Sequence, residues 1–232
     1  MIGLTIVAFG TSLPEFIVSL FSVLGGKADI SIGNVVGSNI ANIALILGIA
    51  ALIRPLLVAK SAIKKEVPIM VGVSVILVII SIDGKISFEE GIALVIGIIL
   101  FTFFSYKTSI KEQRDIENIS TVLNLAQKNV ISKSAVLIGV GFVLLTFGSF
   151  LTVDNAVNIA KSVGISERII GLTLVAIGTS LPELVTSIVA AFRGHADLSV
   201  GNIVGSNIFN ILAIIGISAT IAGISVSDSM FL

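Results

Sequence analysis

Cysteine is absent from this 232-residue chain, histidine and tyrosine occur once each, and there are only four prolines. Without cysteine there is neither a disulfide frame nor a thiolate metal site. The single histidine, His195, stands in a short loop beside Arg193 and Gly194, where it reads as a solvated residue with no partner ligand. Soft metals are thereby set aside. Charge is scarce as well: 12% of the residues are charged, where a soluble domain normally carries about 25%. Fourteen basic residues balance fourteen acidic ones, so net charge points to no partner, and no nucleic-acid binding is expected.

What fills the space is apolar. Hydrophobic residues make up 55% of the chain, the mean hydropathy is +1.14, and apolar runs occur at about 2–24, 30–53, 67–82, 88–106, 131–153, 165–192 and 198–225. Most reach the roughly 17–25 residues that cross a hydrocarbon core, with 67–82 at the short limit. The first run lacks a basic leader and carries Pro14 and Glu15, so it is not a signal peptide. Seven spans are therefore expected in an all-α, multi-pass membrane protein. With loops assigned alternately, one side receives Arg54, Lys60, Lys64, Lys65, Lys107, Lys111, Arg114, Lys128, Lys133 and Arg193, and the other only Lys27, Lys85, Lys161 and Arg168. The richer side is expected to be cytoplasmic, which places the polar segment 107–130 inside the cell as a linker between two halves, 1–106 and 131–232. The cell membrane is the expected location.

The segment from Gly3 to Gly48 returns without a gap from Gly171 to Gly216, with 27 of 46 positions identical. Five spans separate the start of one copy from the start of the other, so the copies cross in opposite directions. Such inverted repeats bring two interrupted helices together near the midplane, where a carrier places its substrate. The second copy is preceded by a span that the first lacks, and the first is followed by two that the second lacks. Symmetry thus predicts seven spans present of ten, the first half missing its first helix and the second half its last two.

Each copy carries GTSLPE, ending at Glu15 and Glu183. Proline has no N–H and its ring opposes the preceding turn, so Pro14 and Pro182 should free the carbonyls of Gly10 and Gly178 and interrupt the helices. Non-helical backbone at membrane depth must line a polar cavity or be buried in protein. The carbonyls of Ala8, Gly10 and Thr11, with Ala176, Gly178 and Thr179, then become candidate ligands, and Thr11, Ser12, Thr179 and Ser180 add hydroxyl oxygens. Ser12-Leu13-Pro14-Glu15 also fits a capping box. Capping alone leaves unexplained why a carboxylate is used where a charge costs about 2.5–3.5 kcal/mol to insert. In the following helix, Asn34, Ser38 and Asn42 fall at i, i+4 and i+8, and Asn202, Ser206 and Asn210 repeat them; Asn42 and Asn210 are read as ligands. Gly33, Gly37, Gly201 and Gly205 read as close-packing positions. Two carboxylates with amides, hydroxyls and carbonyls make an all-oxygen cage for hard cations, calcium or sodium, with magnesium disfavoured by its reluctance to shed water.

The paired GTSLPE and GN-V-GSN-x-x-N segments resemble the α-repeats of the sodium/calcium exchangers, within the cation/calcium antiporter superfamily and closest to its prokaryotic members. The resemblance covers both repeats, about 90 of 232 residues. It implies that Glu15 and Glu183 bind calcium with the carbonyls of Thr11 and Thr179, and that sodium uses Ala8, Ser12 and Ser38 with Ala176, Ser180 and Ser206. It also implies a sliding bundle made of the first and sixth helices of ten, so that the chain as it stands would not exchange. Asn210 occupies a position where potassium-dependent relatives have aspartate, which implies potassium-independent sodium/calcium antiport by alternating access. The competing expectations are a calcium/proton antiporter, a channel, which would need a continuous pore, and a membrane hydrolase, for which no second catalytic signature stands beside the acids. No enzymatic activity and no cofactor are expected; the transported ions and the bilayer are the expected partners, and the oligomeric state is left open.

Overall fold

A computed structural model describes residues 2–56, 58, 62–117, 128–164, 173 and 175–226. The chain opens with α1 (Ile2–Thr11) and α2 (Leu13–Leu24), and continues through α3 (Ala28–Ile40), a π-helical segment Ala41–Ile46, and α4 (Leu47–Ile53). A second π segment, Ala62–Glu66, leads into α5 (Val67–Ile80), then come α6 (Phe88–Glu117) and α7 (Lys128–Ser162). The second repeat supplies α8 (Ala176–Thr179), α9 (Leu181–Phe192), α10 (Ala196–Phe209), a π segment Asn210–Ile215, and α11 (Gly216–Ala222).

The expected interruptions are present, and each is one residue wide. Ser12 (φ −84°, ψ 9°) separates α1 from α2, and Ser180 (φ −82°, ψ 7°) separates α8 from α9. These angles fall in the bridge region between helix and extended chain, and a proline at the second position of the next helix discourages anything more regular. At the far ends, the chain turns through Gly26 (φ 71°) and Gly194 (φ 81°), a backbone conformation that glycine alone adopts freely. Lys27 N then bonds Ser22 O at 2.8 Å and His195 N bonds Ala190 O at 2.9 Å. The duplication in sequence is thus a duplication in backbone geometry.

The repeats interlock. Helix α1 packs against α10 and α8 against α3, so each broken helix leans on the partner repeat, while α2 against α3 and α9 against α10 hold each repeat together. The arrangement also shows the inversion directly. The Arg54 guanidinium, at the end of α4, lies so close over Gly194 that a Cβ there would meet it at 2.8 Å. Lys85 and Ile86, in contrast, share a small cleft with Gly26, Ala28 and residues 222–225. The turn after α2 and the turn after α9 therefore lie at opposite ends of the molecule, as alternating loops require. Lys60 and Arg168 of that loop assignment, and 118–127 of the expected linker, lie outside the described residues, as do 165–172, where the second repeat begins. What is described of the linker is helical, since α6 runs on to Glu117 and α7 starts at Lys128.

One feature departs from the all-helical expectation. Lys85–Ile86 and Ile224–Ser225 form a two-residue antiparallel pair, Lys85 opposite Ser225 and Ile86 opposite Ile224. Glycines at positive φ, Gly84 (79°) and Gly223 (62°), turn both chains into it, and Val226 N closes it on Gly84 O at 2.8 Å. Two loops that meet at one end satisfy each other's backbone this way.

Burial runs opposite to that of a water-soluble protein. Leu52 is 88% exposed, Phe21 68% and Leu100 62%, while Glu15, Glu183, Asn42 and Asn210 are fully buried. An apolar exterior around a polar interior suits a lipid solvent. Ile30–Ile53, Phe88–Thr108 and Asp197–Ala222 are each long and apolar enough to cross a membrane, and Leu13–Leu24, Val136–Leu151 and Leu181–Phe192 are shorter apolar helices. The fold is that of a polytopic helical membrane protein.

Candidate ion site between the repeats

Glu15 and Glu183 begin α2 and α9, one turn into helices whose starts are fixed by Pro14 and Pro182. Both side chains are fully buried, as are Ser12 and Ser180 to within 2%. The contacts cross from repeat to repeat. Ser12 Oγ donates to Glu183 Oε1 at 2.8 Å, and Ser180 Oγ donates to Glu15 Oε1 at 2.9 Å. Neither serine makes a side-chain cap to its own helix, so the capping role read from Ser-x-Pro-Glu is corrected: the hydroxyl is turned to the opposite carboxylate. The other oxygen of each acid, Oε2, is buried with no hydrogen-bond partner among the described residues.

The carbonyls divide. Ala8 O accepts Ser12 N (3.1 Å) and Thr11 Oγ1 (3.3 Å) from its own repeat and Ser206 Oγ (3.5 Å) from the other. Ala176 O accepts Ser180 N (3.3 Å), Thr179 Oγ1 (3.1 Å) and, from the other repeat, Ser38 Oγ (3.3 Å). Ser206 Oγ also reaches Glu183 Oε1 at 3.3 Å, and Ser38 Oγ lies 3.4 Å from Thr179 Oγ1. Gly178 O, expected as a free ligand, instead accepts a hydrogen bond from the buried Ser149 Oγ of α7. That serine carries no motif, and nothing local in the sequence marks it. Gly10, the counterpart of Gly178, faces the Phe142 ring of α7, which leaves no room for a Cβ there.

Of the polar stripe, Asn34 Nδ2 donates to Glu15 O (3.2 Å) and Ser19 Oγ (3.0 Å), and its Oδ1 accepts Thr179 Oγ1 (3.2 Å). Asn34 therefore braces the broken helices with every side-chain atom engaged. Asn42 and Asn210 behave differently: each uses its amide nitrogen on a residue of the other repeat, Asn207 Oδ1 at 2.9 Å and Asn39 Oδ1 at 3.0 Å. Their Oδ1 atoms are buried and have no donor among the described residues. Asn39 and Asn207 went unread in the sequence. Their spacing of three from Asn42 and Asn210, on neighbouring helical positions, was the signal that marks them.

Ala8, Thr11, Ser12, Glu15, Ser38 and Asn42 of one repeat and Ala176, Thr179, Ser180, Glu183, Ser206 and Asn210 of the other are all buried. Hydrogen bonds tie the alanine, threonine, serine and glutamate groups together across the repeats, while Asn42 and Asn210 are tied to Asn207 and Asn39. Gly205 packs as expected, with a Cβ there only 3.0 Å from Ala8 Cβ. His195 lies exposed at the start of α10.

Two oppositely inserted repeats whose broken helices meet at buried, oxygen-bearing side chains are the architecture of a secondary transporter. Residues 1–107 and 133–232 match the family described as sodium/calcium exchanger protein, and the chain belongs to that family. It is 40% identical over 224 residues to the inner membrane protein YrbG of Escherichia coli (strain K12), spanning 95% of this chain and 69% of that protein. It is 30% identical over 268 aligned positions to the sodium/calcium exchanger MaX1 of Methanosarcina acetivorans, spanning 98% of this chain and 75% of MaX1. A structure of the sodium-calcium exchanger NCX_Mj soaked with sodium and strontium has a TM-score of 0.80 and 34% identity, covering 98% of this chain and 72% of that one. The protein is an integral membrane antiporter of the exchanger type.

Proposed function

We propose that the chain carries the ion site of a potassium-independent sodium/calcium antiporter, with Glu15 and Glu183 as its calcium ligands. The observation that carries this reading is the pair of buried carboxylates whose Oε1 atoms are held by serines of the opposite repeat while both Oε2 atoms lack a donor. Ionised acids left so in low dielectric are costly, and a hard cation is the chemical complement to a cluster of oxygens. The orphaned Oδ1 atoms of Asn42 and Asn210, with the carbonyls of Thr11 and Thr179, complete a calcium cage. Ser12, Ser38 and Ala8, with Ser180, Ser206 and Ala176, supply the sodium positions. Asn210 is neutral, so two acids and not three face the ions, which supports independence from potassium.

One calcium, or several sodium ions, neutralises the same acids. Occupancy then decides whether the two broken helices can be exposed to the other side, and the shared ligands keep both cargoes from binding at once. The Arg54 and Arg193 end faces the cytoplasm of the cell, following its excess of Lys and Arg.

The test is calcium-45 uptake by the full-length protein in proteoliposomes, with sodium, potassium or pH as the only gradient. An outward sodium gradient alone should drive uptake, and Glu15→Gln or Glu183→Gln should abolish it. Uptake driven by protons alone would reassign the protein to calcium/proton antiport. Uptake unchanged in either glutamine variant would overturn the two-carboxylate site.

A further inference from the structure

Asn39 and Asn207 lie where the two repeats touch, and their amides are oriented by atoms that allow no choice. A backbone carbonyl can only accept a hydrogen bond. Asn39 Nδ2 donates to Asn207 O at 3.3 Å, and Asn207 Nδ2 donates to Asn39 O at 3.4 Å. With its nitrogen assigned to a carbonyl, each of these side chains has its oxygen left for its other neighbour. Asn207 Oδ1 accepts from Asn42 Nδ2 at 2.9 Å, and Asn39 Oδ1 accepts from Asn210 Nδ2 at 3.0 Å. Asn42 and Asn210 are then fixed in turn: nitrogen toward the amide cluster, Oδ1 buried and without a donor among the described residues.

We propose that Asn39 and Asn207 are positioning residues that make Asn42 and Asn210 present oxygen to the transported cation, each acting on the asparagine of the other repeat. The proposal rests on the ion-site reading above. An asparagine amide is nearly the same shape either way round, yet one orientation offers a cation a carbonyl oxygen and the other an NH2 group that repels it. Without the reciprocal pair, Asn42 and Asn210 can turn their nitrogen inward, and the site loses affinity although every ligand residue remains in place. Met70 Sδ, 3.7 Å from Asn207 Nδ2, is a weak acceptor that favours the same orientation.

A carboxylate needs no orienting because both of its oxygens are acceptors, and this gives a test that a merely structural role would not pass. Calcium dependence of sodium-driven uptake is measured for the full-length protein in proteoliposomes. Asn39→Ala and Asn207→Ala should each raise the half-saturating calcium concentration about tenfold, the equivalent of one lost hydrogen bond at the upper end of its range. Adding Asn210→Asp should restore affinity in Asn39→Ala but not in Asn207→Ala; adding Asn42→Asp should restore it in Asn207→Ala but not in Asn39→Ala. Should an alanine variant not assemble, Asn39→Leu and Asn207→Leu, close in volume and unable to hydrogen-bond, carry the same comparison. Unchanged affinity in the single variants, no rescue, or rescue by either aspartate alike would overturn the proposal. Glu15→Gln, run in the same series, separates the two levels: if it leaves uptake intact, the ion site itself is misplaced.

Discussion

Ser12 sits where a helix cap is ordinarily found, ahead of a proline and a glutamate, and its hydroxyl is nonetheless bonded to an acid 171 positions away. Ser180 mirrors it. Hydrogen bonds to charged groups contribute about 1.5–3 kcal/mol. Here each one holds a carboxylate oxygen across the repeat boundary, as the only side-chain hydrogen bond to Glu15 Oε1 among the described residues and as the shorter of two to Glu183 Oε1. Ser12→Ala and Ser180→Ala should therefore weaken transport by similar factors, about tenfold or more in the sodium concentration for half-maximal exchange, read from sodium-dependent calcium uptake. A large loss in one variant and none in the other would contradict the equivalence of the two crossings. The acids were legible in the sequence because a carboxylate in an apolar run is costly to insert and is kept there for ions or protons. Their serine partners were legible as oxygen donors but not as cross-repeat donors, since capping and crossing use the same residue at the same position. Ser149 was not legible: a lone serine in an apolar helix is marked only by the carbonyl that it meets.

At the scale of helices, the repeat predicted where the chain breaks and that the two broken helices meet, and missed how their contacts are tuned. Asn42 and Asn210 both fall at the start of π-helical segments, 41–46 and 210–215. Such turns shift a helix face by part of a residue and recur at functional sites, but their composition, apolar here, announces nothing. Close packing was easier to foresee, because small residues in spans let backbones approach. In α6, a Cβ on Gly91 would stand 2.9 Å from Gly216 O and Thr220 N of the α11 segment, backbone atoms that cannot turn aside, whereas Gly72 in α5 has nothing within 4 Å. Gly91→Ala should destabilise the folded protein by roughly 1–3 kcal/mol through overpacking. Gly72→Ala should be neutral or slightly stabilising, because alanine favours helix. Thermal unfolding of the detergent-solubilised variants compares them, and an equal shift in both would refute the contact.

For the whole molecule, the prediction concerns sidedness. Having no cysteine, the chain reports any single introduced thiol without background. Lys27→Cys and Lys85→Cys should react with a membrane-impermeant maleimide from one side only, and Arg54→Cys and Arg193→Cys only from the other, in the orientation that leaves the latter pair cytoplasmic. Labelling of positions 54 and 85 from the same side would dismantle the inverted arrangement. The number of apolar runs and the alternation of charge made this much of the architecture readable. The two-residue strand pair at 85–86 and 224–225 was not readable, because backbone pairing of so short a kind depends on two distant glycine turns meeting.

The crossed bonds also bear on ancestry. Each half contributes an acid whose shortest hydroxyl contact, at 2.8 Å for Glu183 and 2.9 Å for Glu15, comes from a serine of the other half. A lone ancestral half built on this plan would have been incomplete, and two copies inserted in opposite directions would have completed each other. Fusion of two such copies into one gene would then have preserved a working pair by making its stoichiometry permanent.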